Sequence, residues 1–140
     1  MRRLLRMFLL LGALTWGAAI PGIFLGWNSA ASALKGLGAE VIEYDKMLDY
    51  WLRMASAGFG GIGVMYLLPV LQLDRYREFV PWLGGLALVQ GLVLFFHGMR
   101  LELDPWPFVG DVSACLLTGA GILLCWWRIR GLGLAPKDSQ

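Results

Sequence analysis

Residues 54–71, MASAGFGGIGVMYLLPVL, form an eighteen-residue run without a charged side chain. A helix of that length at about 1.5 Å per residue nearly matches the ~30 Å hydrocarbon core of a bilayer. A core helix of a soluble domain would keep a polar face, and this stretch has none. It therefore reads as a membrane-crossing helix. Asp49 and Arg53 stand before it at i,i+4 spacing and can pair on one helix face. Inside it, Ser56 and Gly60, and likewise Ala57 and Gly61, are small residues four apart. Lipid tails give two helices no hydrophobic reason to associate, whereas small residues let backbones approach and gain dispersion contact. The expectation is a central span with neighbours on its glycine face.

The rest of the composition agrees. Of 140 residues, 58% are hydrophobic and 16% charged, against roughly 25% charged in soluble domains. One domain is expected. The net charge of +2 is too small to imply nucleic acid. No zinc-type Cys/His spacing, Walker-type loop or dinucleotide fingerprint is present, so no metal, cofactor or catalytic residue is assigned. Cys115 and Cys125 are ten residues apart. On a helix that is about 15 Å, too far for a disulfide, so both are expected as small core residues.

Arg2, Arg3 and Arg6 precede a long apolar run. A basic start, an apolar middle and Ala31-Ser32-Ala33 resemble a secretory signal, but residues 7–27 exceed the usual ~7–15 residue apolar core. A retained span over 4–27 is expected. Ala18, Gly22 and Gly26 give it a small-residue face, and Pro21 is expected to kink it. Residues 28–48 form a polar outer loop, acidic toward its end at Glu40, Glu43 and Asp45, with Asp49 just beyond it. Their spacing fits no EF-hand, so a solvated face is preferred to a cation site. Asp45 is positioned as an N-cap. The remaining spans are expected at 52–73, 79–99 and 106–127. A short link over 74–78 requires an antiparallel neighbour. Pro81 falls in a first turn, Asp104-Pro105 opens the last helix, and 128–140 forms a tail. Trp27, Trp51, Trp82, Trp106, Trp126 and Trp127 lie near span ends, where interfacial belts place them.

Four spans put both termini on one side. With that side cytoplasmic, it holds eight basic residues (Arg2, Arg3, Arg6, Arg75, Arg77, Arg128, Arg130 and Lys137) against four outside (Lys35, Lys46, Arg53 and Arg100). The positive-inside rule then favours both termini in the cytoplasm. The expected fold is an all-α, four-transmembrane-helix antiparallel bundle in a bacterial inner membrane. No internal repeat is visible.

Polar residues at membrane depth are few. Gln90 and His97 share a face at a spacing of seven, and Asp111, Cys115 and Thr118 follow i, i+4, i+7. Arg53, His97, Arg100 and Asp111 all fall near the outer boundary. An Arg53–Asp111 ion pair is expected, with His97 nearby, because a charge facing lipid is costly. One meaning is structural: the pair pins two helices and His97 sits at a helix end favoured by its dipole. The other is a polar cavity opening outward, with Arg53, Gln90, His97, Arg100 and Asp111 as ligand-binding candidates. His97 and Asp111 would be its proton donors or acceptors. The structural meaning is preferred. Gln90 fits either an interhelical hydrogen bond or contact with a polar ligand head.

Several motifs also carry a resemblance. These are Tyr50-Trp51-Leu52-Arg53-Met54-Ala55, the glycine-rich second span, Arg75-Tyr76-Arg77, Gly91-Leu92-Val93-Leu94, His97-Gly98-Met99-Arg100 and Phe108-Val109-Gly110-Asp111-Val112. Together, over about residues 48–127, they resemble a group of small bacterial four-helix membrane proteins, broadly DoxX-like. The resemblance implies a loose tie to quinone or redox complexes. That group has no settled activity, so no catalytic residue is transferred.

Two functions are compatible with these features. The preferred one is an accessory or structural subunit, contacting lipids and either other membrane subunits or its own copies. The alternative is a binder of, or enzyme for, a lipophilic molecule such as a quinone, isoprenoid or sterol-like lipid.

Overall fold

The computed structural model describes residues 1–40, 43–102 and 105–131. The described chain is helical: α1 (Arg2–Gly17), a 3-10 turn (Ile20–Ile23), α2 (Trp27–Gly36), α3 (Lys46–Leu71), α4 (Val80–Arg100) and α5 (Pro105–Gly131). Four segments are long and apolar enough to cross a membrane: Arg2–Ile23, Lys46–Leu71, Val80–Arg100 and Phe108–Arg130.

Local chemistry sets most of the boundaries. Asp45 caps α3, its carboxylate accepting from the Leu48 amide at 2.8 Å. Pro81 lies in the first turn of α4, where its missing N–H is no loss. α5 starts at Pro105; its expected cap Asp104 and the tail from 132 onward lie outside the described residues. The first span departs from the expected 4–27. Its α-helix stops at Gly17, and Pro21 enters a 3-10 turn ending at Ile23. The polar segment after the first span also contains a helix, α2. Its alanine-rich sequence favours a helix, and Gly38 closes it at φ 97°. The Gly38 amide donates to the Lys35 carbonyl and the Ala39 amide to the Leu34 carbonyl, both at 3.0 Å. That is the glycine-dependent Schellman end.

Glycines set how closely the spans approach. A Cβ on Gly63 would lie 2.6 Å from the backbone nitrogen of Gly17, and one on Gly60 would lie 2.7 Å from the Ile20 side chain. Gly12 is covered by the Tyr66 ring. These contacts run antiparallel, so α1 is sealed onto α3. Gly84 against Leu123, Gly91 against Leu116 and Gly98 against Phe108 align α4 with α5 in the same antiparallel sense. Phe8 of α1 fits over Gly121 of α5. α1 therefore packs on both α3 and α5, while α4 packs on α5. The short link does make α3 and α4 antiparallel. It does not make them packing partners, since they scarcely touch along their length.

The core lies at the linked end. Leu5, Leu9, Tyr66, Leu73, Val80, Leu83, Ile122 and Cys125 are buried there together. Tyr66 donates its hydroxyl to the Leu83 carbonyl at 2.7 Å, joining α3 to α4. Arg2 meets Asp74 at 3.3 Å, so the N-terminus, the α3–α4 link and the C-terminal end of α5 share one end of the bundle. The outside is apolar: Phe96, Leu117 and Leu124 are all exposed, as lipid contact requires. Trp82 and Trp127 project at 75% and 80% exposure at the basic end, where headgroups would meet them.

Three substitutions separate these contributions. Gly63→Ala should lower the melting temperature in detergent, because backbone atoms of α1 cannot rotate aside. Gly61→Ala should leave it unchanged, since a Cβ there would meet no atom within 4 Å. Tyr66→Phe should cost about 1 kcal/mol, the usual net value of one hydrogen bond. Thermal unfolding of the three variants beside wild type measures all of these.

Candidate functional site

Because α3 and α4 separate beyond the linked end, a cleft opens between them, backed by α1 and α5. Its volume is about 200 Å³. α1 supplies Thr15 and Trp16 to its wall, the turn after it supplies Ala19, and α3 supplies Phe59. α4 contributes Gln90 and Leu94, one turn apart, and α5 contributes Asp111 and Cys115, also one turn apart. All four spans thus meet at one cavity.

Its two sides differ chemically. Trp16 and Phe59 form a continuous aromatic wall, with ring centroids 5.4 Å apart and planes inclined at 51°. Asp111 and Gln90 supply the polar side. Among the described residues, Asp111 makes no ion pair or hydrogen bond, and neither does the Gln90 carboxamide. Thr15 donates its hydroxyl to the Leu11 carbonyl at 2.9 Å, which leaves the oxygen's lone pairs as acceptors. Cys115 is buried in the wall as a free thiol. Thr118, one turn further along the same face of α5, is 2% exposed, and among the described residues its hydroxyl has no partner.

The candidates named from sequence divide sharply. Gln90 and Asp111 come together in the cleft. Arg53 does not join them, and the expected Arg53–Asp111 ion pair is not formed. Arg53 instead pairs with Asp49 at 3.1 Å and donates to the Ile23 carbonyl at 2.8 Å. The cause is topological. α1 stands between α3 and α5, so the Ile23 carbonyl, left over where the 3-10 turn ends, is the acceptor within reach. Asp49 is one turn back on Arg53's own helix. His97 and Arg100 are exposed in the last turn of α4, where positive charge suits the helix dipole. They do not line the cleft.

Sequence reasoning missed Thr15, Trp16, Phe59 and Leu94. One signal was available: Trp16 is the tryptophan of the seven that does not fall at a span end. A belt explanation never applied to it. Phe59 and Leu94 carry no such mark, since apolar residues in a span face lipid, core and cavity alike.

No protein-family model, curated protein or solved structure matches the chain. The DoxX-like resemblance gains nothing from these comparisons and rests on its sequence motifs alone. The arrangement carries its own chemical meaning. Polar side chains are rare in these spans, and here exposed Asp111 and half-buried Gln90 border one cavity beside an aromatic wall. Among the described residues, no cluster of three His, Cys, Asp or Glu could hold a metal ion.

A double-mutant cycle tests the charge assignment. Arg53 and Asp49, both half-buried, should couple by about 0.3–0.5 kcal/mol, the scale of i,i+4 helix pairs. Arg53 and Asp111 should couple by nothing measurable. Denaturation of Arg53→Gln, Asp111→Asn and the double variant provides the second value, and clear coupling there would restore the pair.

Proposed function

We propose that the chain is an integral membrane protein that binds a lipophilic small molecule, holding its polar head in the cleft between α3 and α4. The observation behind this reading is the convergence of Asp111 and Gln90, unpartnered among the described residues, with the Trp16–Phe59 wall. Ligand pockets are typically apolar with a few placed polar groups, and helix bundles form them between helices. The volume of about 200 Å³ is less than the ~300–1,000 Å³ that encloses a drug-sized ligand. The head would therefore be enclosed and the tail would lie outside, among lipid. No catalytic residue is assigned. The membrane is proposed to be the bacterial inner membrane, with both termini cytoplasmic, on the distribution of Arg and Lys.

A second reading keeps the accessory subunit. Ala57, Gly58 and Gly61 are exposed on α3, and a Cβ on either glycine would meet nothing within 4 Å. Such a face would let a partner helix approach closely. The shortage of polar groups at membrane depth had favoured this reading. The meeting of two of those few at one cavity supports placing it second.

Native mass spectrometry of gently extracted protein distinguishes the two. Wild type should carry one small lipophile, and Leu94→Trp, which fills the cleft, should lack it while melting normally. A wild-type chain with no lipophile, or one retained equally in the Leu94→Trp variant, would overturn the pocket reading. Heavier assemblies lost in Gly61→Leu would support the subunit reading.

A further inference from the structure

We infer that the head group the cleft accepts is a cation, and specifically the ammonium of a lipophilic amine; this rests on the cleft being a binding site. Among the described residues, the lining contains one formally charged residue, Asp111, and no Lys, Arg or His. Among the described residues, Asp111 has no counter-charge of its own. The arginine of α3, Arg53, is taken up by Asp49 and the Ile23 carbonyl. Arg100 is exposed and lies six residues beyond Leu94, roughly 9 Å further along α4.

The neutral groups point the same way. Thr15 has committed its hydrogen to Leu11, so it faces a ligand as an acceptor. Asp111 adds two carboxylate oxygens and Gln90 one carbonyl oxygen, so acceptors dominate. A quinone or other carbonyl head would need donors, of which the Gln90 amide is the main supply. An ammonium brings positive charge and no acceptor. The aromatic wall of Trp16 and Phe59 adds to this preference, because aromatic rings attract a cation through their quadrupoles. Size adds a third constraint. A cleft of about 200 Å³ suits a compact head, with the alkyl tail leaving between α3 and α4, which scarcely touch.

The probes are octylammonium and 1-octanol, equal in chain length and differing in charge. Their binding to full-length protein in phosphatidylcholine nanodiscs is measured by equilibrium dialysis. Wild type should bind the cation at least about tenfold more tightly than the alcohol, the scale of one charge-assisted contact. Asp111→Asn should abolish that preference and leave octanol binding unchanged. Glu43→Gln, an exposed acid outside the cleft, should change neither. Leu94→Trp should block both probes and provides a test independent of whether the Asp111 variant folds. Equal affinity for the two probes, with Leu94→Trp blocking both, would overturn the cation inference and leave the cleft reading intact. Equal losses in Asp111→Asn and Glu43→Gln would overturn it as surface attraction. If neither probe binds wild type, the cleft reading falls and the inference with it.

Discussion

Tyr66 connects three of the four spans from a single position. Its ring covers Gly12 on α1, its backbone belongs to α3, and its hydroxyl reaches the Leu83 carbonyl on α4 at 2.7 Å. The residue is fully buried. In an apolar surrounding a phenol without a partner would cost several kcal/mol, so this bond fixes where α3 can sit relative to α4. It also explains why these two helices stay together at the linked end without packing side by side.

The cleft follows from that geometry. Close helix contact in lipid needs small residues, and the chain places them in two sets. Gly12, Gly60 and Gly63 bring α1 onto α3, while Gly84, Gly91, Gly98 and Gly119 bring α4 onto α5. No comparable set joins α3 to α4 among the described residues. Away from Tyr66 the two pairs diverge, and the space between them is filled only partly by Trp16 and Phe59. Asp111 and Gln90 border that space because they lie on the faces α5 and α4 turn toward it. A site of this kind needs no dedicated loop. It is what remains when two well-packed helix pairs are tied together at one end.

Some elements were legible from residue chemistry alone. Asp45 as a cap, Pro81 and Pro105 at helix starts, and an uncharged eighteen-residue run as a span all depend on interactions within a few residues. The Asp49–Arg53 pair is of the same kind. Elsewhere two local rules competed. Residues 28–48 were expected as loop because they are polar, yet the alanine-rich part forms α2 and a glycine closes it. In the first span, the expected kink at Pro21 became a change of helix type. Part of the site was also visible: Gln90 and Asp111 stood out because polar side chains are rare in such spans.

What the sequence determined by itself was the class of molecule: four apolar helices, their approximate ends, and which few polar groups must find shelter. These follow from hydrophobicity and from backbone bonds that close within one helix. Only the tertiary structure decided which helices touch, and therefore which polar groups meet. Both glycine stripes of α3 look alike in sequence, but Ser56, Gly60 and Gly63 are buried against the first span while Ala57, Gly58 and Gly61 stay exposed. Counted along their helices Arg53 and Asp111 are expected near the same boundary, yet α1 stands between those helices and Arg53 turns to Ile23 and Asp49. Depth in a membrane can be counted along one helix. Azimuth depends on the fit between helix surfaces, and that fit exists only once all four are assembled.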